Sequence, residues 1–171
     1  MNAQEVLVTL LVGVAAVASV AGIATGRAAR VVAAGSLVLL AAALLVGWTG
    51  GTAHHLDRGI TVLAGILAVA GGGLVTTQVF AFVEDPERVT HAGTVLRGGA
   101  WIGALERLGV YVALVAGWAP GLAIVLAVKG LGRYPELRSG EDTGVAERFI
   151  IGTFTSVLWA VACAGVAMLT P

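Results

Sequence analysis

Between Gly98 and Leu137 the chain sets Glu106, Arg107, Lys129 and Arg133 within or beside otherwise apolar sequence, and the pair Glu147–Arg148 opens the last apolar run. Charges in such places have three uses: ion pairs that lock helices together, a cationic seat for an anion, or a general base working beside cations that hold a phosphate. The cations Arg107, Lys129, Arg133 and Arg148 outnumber the acids Glu106 and Glu147 in this set, so an anion is the expected ligand. Phospholipid headgroups are the most available anions at that depth, and basic pockets between helices bind them. Trp101 and Gln78, the latter beside Thr76 and Thr77, complete the candidate anion site.

Catalysis is not expected. The chain has no aspartate-rich metal motif, no serine nucleophile elbow and no His inside an apolar run. His54, His55 and Asp57 share one polar loop, but adjacent histidines point apart on most backbones and no second ligand cluster accompanies them, so no metal or cofactor is expected. His91 lies in another polar segment and reads as a solvated loop residue.

Hydrophobic residues make up 58% of the 171 and charged residues 12%, while mean hydropathy is +0.95. A soluble domain carries about twice that share of charge, so the composition is that of a bilayer protein. Ten bases balance ten acids, which argues against a large basic surface for nucleic acid. Met1 to Glu5 holds an acid and no base, unlike the start of a cleavable signal peptide, so the run behind it reads as a retained helix. Cys163, alone in the chain, lies in the last apolar run and reads as a small packing residue.

These runs predict an all-α, polytopic membrane bundle forming one integral membrane domain over residues 1–171. The expected helices are 5–25, 31–48, 59–83, 99–118, 120–134 and 145–169. Gly22 and Gly26, four apart in a run rich in alanine, suit close helix approach. Gly71, Gly72 and Gly73 weaken the third helix by about 1 kcal/mol each relative to Ala, which predicts a kink or a close crossing there. Asp85 before Pro86 reads as the cap of a short surface helix. Thr153, Thr155 and Ser156 are expected to bond carbonyls of their own helix.

The number of crossings turns on Gly117 to Gly121, a turn-like break. As one continuous helix, 99–128 makes five spans and divides the loop bases four against five. As a hairpin it makes six, with Arg27, Arg30, Arg88, Arg97, Lys129, Arg133, Arg138 and Arg148 on one side and Arg58 alone on the other. The positive-inside rule selects six, with both termini outside and a short fifth helix folded against the fourth. Glu106 and Arg107 then lie roughly 10 to 13 Å into the membrane, at 1.5 Å per residue.

Glu106, Arg107 and Trp118 repeat in spacing as Glu147, Arg148 and Trp159, so the two Glu–Arg pairs are placed to sit side by side and exchange partners. WIGALER, then AVKGLGRYPEL, then AERFIIGTFTSVLWA also resembles a C-terminal membrane module of uncharacterised bacterial integral membrane proteins, in which WIG-x-LER, an AK-xxx-RF-like stretch and E-[RY]-xxIGT follow in this order. The matching positions are Trp101, Gly103, Glu106, Arg107, Lys129, Arg133, Glu147, Gly152 and Thr153. That resemblance implies a membrane fold and no activity. The expected function is therefore binding or transport of an anionic lipid or small anion at the inner leaflet of the cell membrane. The alternative is a structural or assembly subunit, as a homo-oligomer or within a larger membrane complex.

Overall fold

Runs of Val, Leu, Ala and Ile without interior charge give helices, and small residues along one stripe of each let the helices meet. The computed structural model describes residues 3–25, 29–49, 58–83, 99–138 and 143–169. They form α1 (Ala3–Thr25), α2 (Ala29–Thr49), α3 (Arg58–Val83), α4 (Gly99–Val115), α5 (Ala119–Gly132), the single turn α6 (Tyr134–Arg138) and α7 (Thr143–Leu169), with no strand among the described residues. Of the motifs singled out in the sequence, His54, His55, Asp57, Asp85, Pro86 and His91 lie outside the described residues.

The helices α1, α2, α3 and α7 are long and apolar enough to cross a membrane, which is the pattern of a multi-pass membrane protein. Their outward faces carry Val17 at 69% exposure, Leu45 at 68% and Leu158 at 62%. Apolar surface on the outside of every long helix is what a lipid solvent covers and water does not. The inward stripes are small instead: Ala15, Ala16 and Ser19 on α1, Ala33 and Ser36 on α2, and Ala160, Cys163, Ala164 and Ala167 on α7 are all buried. Ser19 and Ser36 share a hydrogen bond of 3.0 Å inside the α1–α2 contact.

The central helix is α3, flanked by α1, α2, α4 and α7. Successive helices run in opposite directions. Ser19 meets Ser36 and Gly22 meets Val32, so α1 and α2 are antiparallel. Tyr111 reaches Thr61 while Arg107 reaches Val69, which makes α4 antiparallel to α3. Gly47 of α2 lies beside Leu169, so the last residue of α7 is level with the end of α2. By the same alternation Ala3 stands at that end too.

The break at Gly117 is real and sharp. Helix α4 stops at Val115, Trp118 N–H donates back to Ala113 O at 2.8 Å, and Gly117 adopts φ +67°, a left-handed conformation that costs a side-chain-bearing residue strain. Pro120 then sits in the first turn of α5. The result is a helical hairpin with α5 resting chiefly on α4. Both arms are short: at 1.5 Å per residue α4 and α5 measure about 25 and 21 Å, against roughly 30 Å of hydrocarbon. Helix α5 ends earlier than the sequence suggested, at Gly132, because the single turn α6 takes Tyr134 and the residues after it.

Candidate functional site

The helical hairpin brings Glu106 and Lys129 together as a direct ion pair, both side chains less than a fifth exposed. Burying one of these charges alone is costly, so each supplies what the other needs. Gly109 seats the hairpin between them and the turn: a Cβ there would meet Val125 at 3.1 Å.

Arg107 points the other way, into the bundle, and is 8% exposed. The expected carboxylate partner is not the one it finds. Its Nε donates to Val69 O of α3 at 3.0 Å and its Nη1 to Ser156 Oγ of α7 at 3.4 Å. Val69 is the twelfth of the 26 residues of α3 and Ser156 the fourteenth of the 27 of α7, so the guanidinium lies level with the middle of both helices. Ser156 thus serves another helix and not its own.

Why can a helix carbonyl that already serves the i+4 amide accept a second donor? Each carbonyl oxygen has two lone pairs, and the second is normally shielded by side chains a turn further along the same face. Glycine at i+4 removes that shield. Three donors use α3 in this way: Tyr111 Oη on Thr61 O at 2.6 Å, Trp159 Nε1 on Leu67 O at 3.0 Å, and Arg107 Nε on Val69 O. Four residues beyond each acceptor stands Gly65, Gly71 or Gly73. A Cβ at Gly65 would lie 3.2 Å from the Tyr111 ring, one at Gly71 2.7 Å from Trp159, and one at Gly73 3.3 Å from Arg107 Nη2. The glycine run therefore makes the close crossing, and α3 is one unbroken helix through it. Thr76 and Thr77 bond the carbonyls of Gly72 and Gly73 and keep their hydroxyls on their own helix.

The remaining candidates spread apart. Arg148 lies half-buried over the Phe80 ring at 5.1 Å, while Glu147 is exposed beside it. Glu147 stands nine residues before Ser156, about two and a half turns away, so the two Glu–Arg pairs are offset and exchange no partners. Trp118 is exposed in the turn and Trp159 is buried in the core, so the repeated spacing carries no repeated role. Trp101 is 76% exposed near the start of α4, where an indole suits a membrane interface. Arg133 is half-buried just after α5, at the same end as Arg148. Gln78 faces α2 across a groove that also holds Arg30, away from the Glu106 pair.

Glu106, Arg107, Lys129 and Ser156 surround a cavity of about 10 Å³, room for the centre of a single water. Chemically this cluster holds charge and braces four helices, α3, α4, α5 and α7, and it has no space for a phosphate. No group of three metal-ligating side chains occurs among the described residues. Fold and site together define a class: a multi-pass helical bundle with an internal charged brace. Comparison of the chain with protein-family models, with curated proteins and with solved structures finds no match.

Proposed function

We propose that this protein binds anionic phospholipid at one end of its bundle, on the cytoplasmic face of the cell membrane. The observation that carries the reading is a set of cations on three helices and one helix junction at that end: Arg30 at the start of α2, Arg133 between α5 and α6, Arg138 on α6 and Arg148 near the start of α7. Among the described residues the opposite end has Arg58 as its base. Bases near the ends of spanning helices set orientation and also attract anionic headgroups, at about 1 kcal/mol each. The half-buried Glu106–Lys129 pair joins α4 to α5, and Arg107 ties α4 to α3 and α7, so the cluster braces the helix that leads to Arg133 and the one that carries Arg148. Movement of lipid or of a small anion across the bundle is an extension of the same reading.

Reconstitution in vesicles of phosphatidylcholine and phosphatidylglycerol in equal parts tests it. After extraction in mild detergent, native mass spectrometry of the wild type is expected to find phosphatidylglycerol retained over phosphatidylcholine. Changing Arg30, Arg133, Arg138 and Arg148 together to Gln is expected to abolish that preference. Equal retention of the two lipids by the wild type contradicts the reading.

A second reading, a subunit of a larger assembly, is favoured by α5, which rests chiefly on α4 and leaves Ile124, Val128 and Leu131 exposed.

A further inference from the structure

We infer that the groove between α2 and α3 holds a single anionic phospholipid, its phosphate on Arg30 and Gln78 and the upper part of one acyl chain between the helices. This rests on the lipid-binding reading above and assigns it a place outside the Glu106–Lys129–Arg107 cluster.

Arg30, Ala34 and Leu37 recur at helical spacing on α2, and Val75, Gln78 and Phe82 do so on α3, so one stripe of each helix forms each wall. The helices are antiparallel, which places Arg30 level with Phe82 at the mouth, Gln78 about level with Ala34 midway, and Leu37 level with Val75 at the deep end. The walls run about 10 Å along the helix axes, at 1.5 Å per residue. The space is about 250 Å³ and its side is open outward, as a lipid-facing groove must be. Alanine at position 34 keeps the groove from filling, and its walls are apolar apart from Arg30 and Gln78.

Arg30 stands at the mouth, which is the headgroup end, and Gln78 lies about 6 Å further in, at 1.5 Å per residue. Arg30 is exposed and Gln78 half-buried, and among the described residues neither makes an ion pair or a hydrogen bond. A guanidinium and an amide with free donors, opening onto an apolar channel, match a phosphodiester joined to an acyl chain. The Glu106 cluster offers the reverse, paired charges around the room of one water. A lipid therefore fits the α2–α3 groove and does not fit the cluster.

The test uses the full chain, reconstituted in the same equal-part vesicles and read by native mass spectrometry. Arg30→Gln removes the charge, Ala34→Phe fills the groove with the charge intact, and Arg58→Gln is a control at the other end. Both Arg30 and Ala34 face outward, and a thermal scan of each variant checks that the bundle is intact. Expected is about a fivefold loss of bound phosphatidylglycerol in Arg30→Gln, a comparable loss in Ala34→Phe, and none in Arg58→Gln. Wild-type retention in either Arg30→Gln or Ala34→Phe overturns the groove; if the four-residue variant still loses the lipid, the broader reading survives that failure. A wild type without phosphatidylglycerol preference ends both.

Discussion

Glu106→Leu is expected to destabilise the bundle by about 3 kcal/mol, because it strands the Lys129 ammonium where lipid and protein, and little water, surround it. Lys129→Met does the converse to the carboxylate. The informative variant is the double one, Glu106→Leu with Lys129→Met, which removes both charges and keeps comparable volume. It is expected to recover to within about 1 kcal/mol of the wild type, since a buried pair replaced by apolar groups is often neutral or better. Denaturation in mixed micelles, monitored by circular dichroism, reads all three. Additive losses in the double variant would mean that Glu106 and Lys129 are not energetically coupled, and the hairpin would need another clasp.

The second large effect concerns two glycines with opposite outcomes. A Cβ at Gly72 would collide with the Arg107 stem and stand 2.8 Å from Trp159 Cδ1. Neither neighbour is free to give way: the guanidinium is held by Val69 and Ser156, and the indole by Leu67. Overpacking costs about 1–3 kcal/mol and disturbing the Arg107 bonds a further 1–3 or so, against about 1 kcal/mol of helix propensity gained. Gly72→Ala is thus expected to lose about 3 kcal/mol net. Gly35 on α2 has nothing within 4 Å of its would-be Cβ, so Gly35→Ala is expected to gain up to about 1 kcal/mol. Thermal unfolding in detergent distinguishes them, and a stabilising Gly72→Ala would refute the close crossing.

Much of this architecture is readable from composition and punctuation. Long apolar runs dictate the helices, and Gly117 with Pro120 dictates the hairpin, because a left-handed residue followed by a ring-locked φ cannot continue a helix. The partnership of Lys129 with Glu106 follows from that fold-back, which puts residues equally far from the turn opposite each other. The partners of Arg107 do not follow. Charge counting pairs a base with an acid, whereas the buried guanidinium takes a backbone carbonyl, a group present at every residue and so invisible to residue typing. A signal was present nonetheless: Arg107 and Tyr111 lie one turn apart on α4, and Gly65, Gly71 and Gly73 each uncover a carbonyl on α3. The matching spacing of Glu147, Arg148 and Trp159 misled in the other direction, since equal spacing says nothing about which face of a helix meets a neighbour.

The lipid groove was only half visible. Gln78 stands out as a polar residue in an apolar run, but Arg30 reads as an ordinary loop-flanking base until α2 and α3 are laid antiparallel.

Because the chain turns back at Ala116 to Trp118, six helices alternate, and the end-of-helix cations other than Arg58 gather on one face. Single cysteines at Gln4, Ala116 and Arg138, introduced into Cys163→Ala and labelled in intact cells with a membrane-impermeant maleimide, test this alternation directly. Positions 4 and 116 are expected to label from outside, and position 138 only after the membrane is opened. Protection of position 116, with position 138 labelled from the same side as position 4, would contradict it.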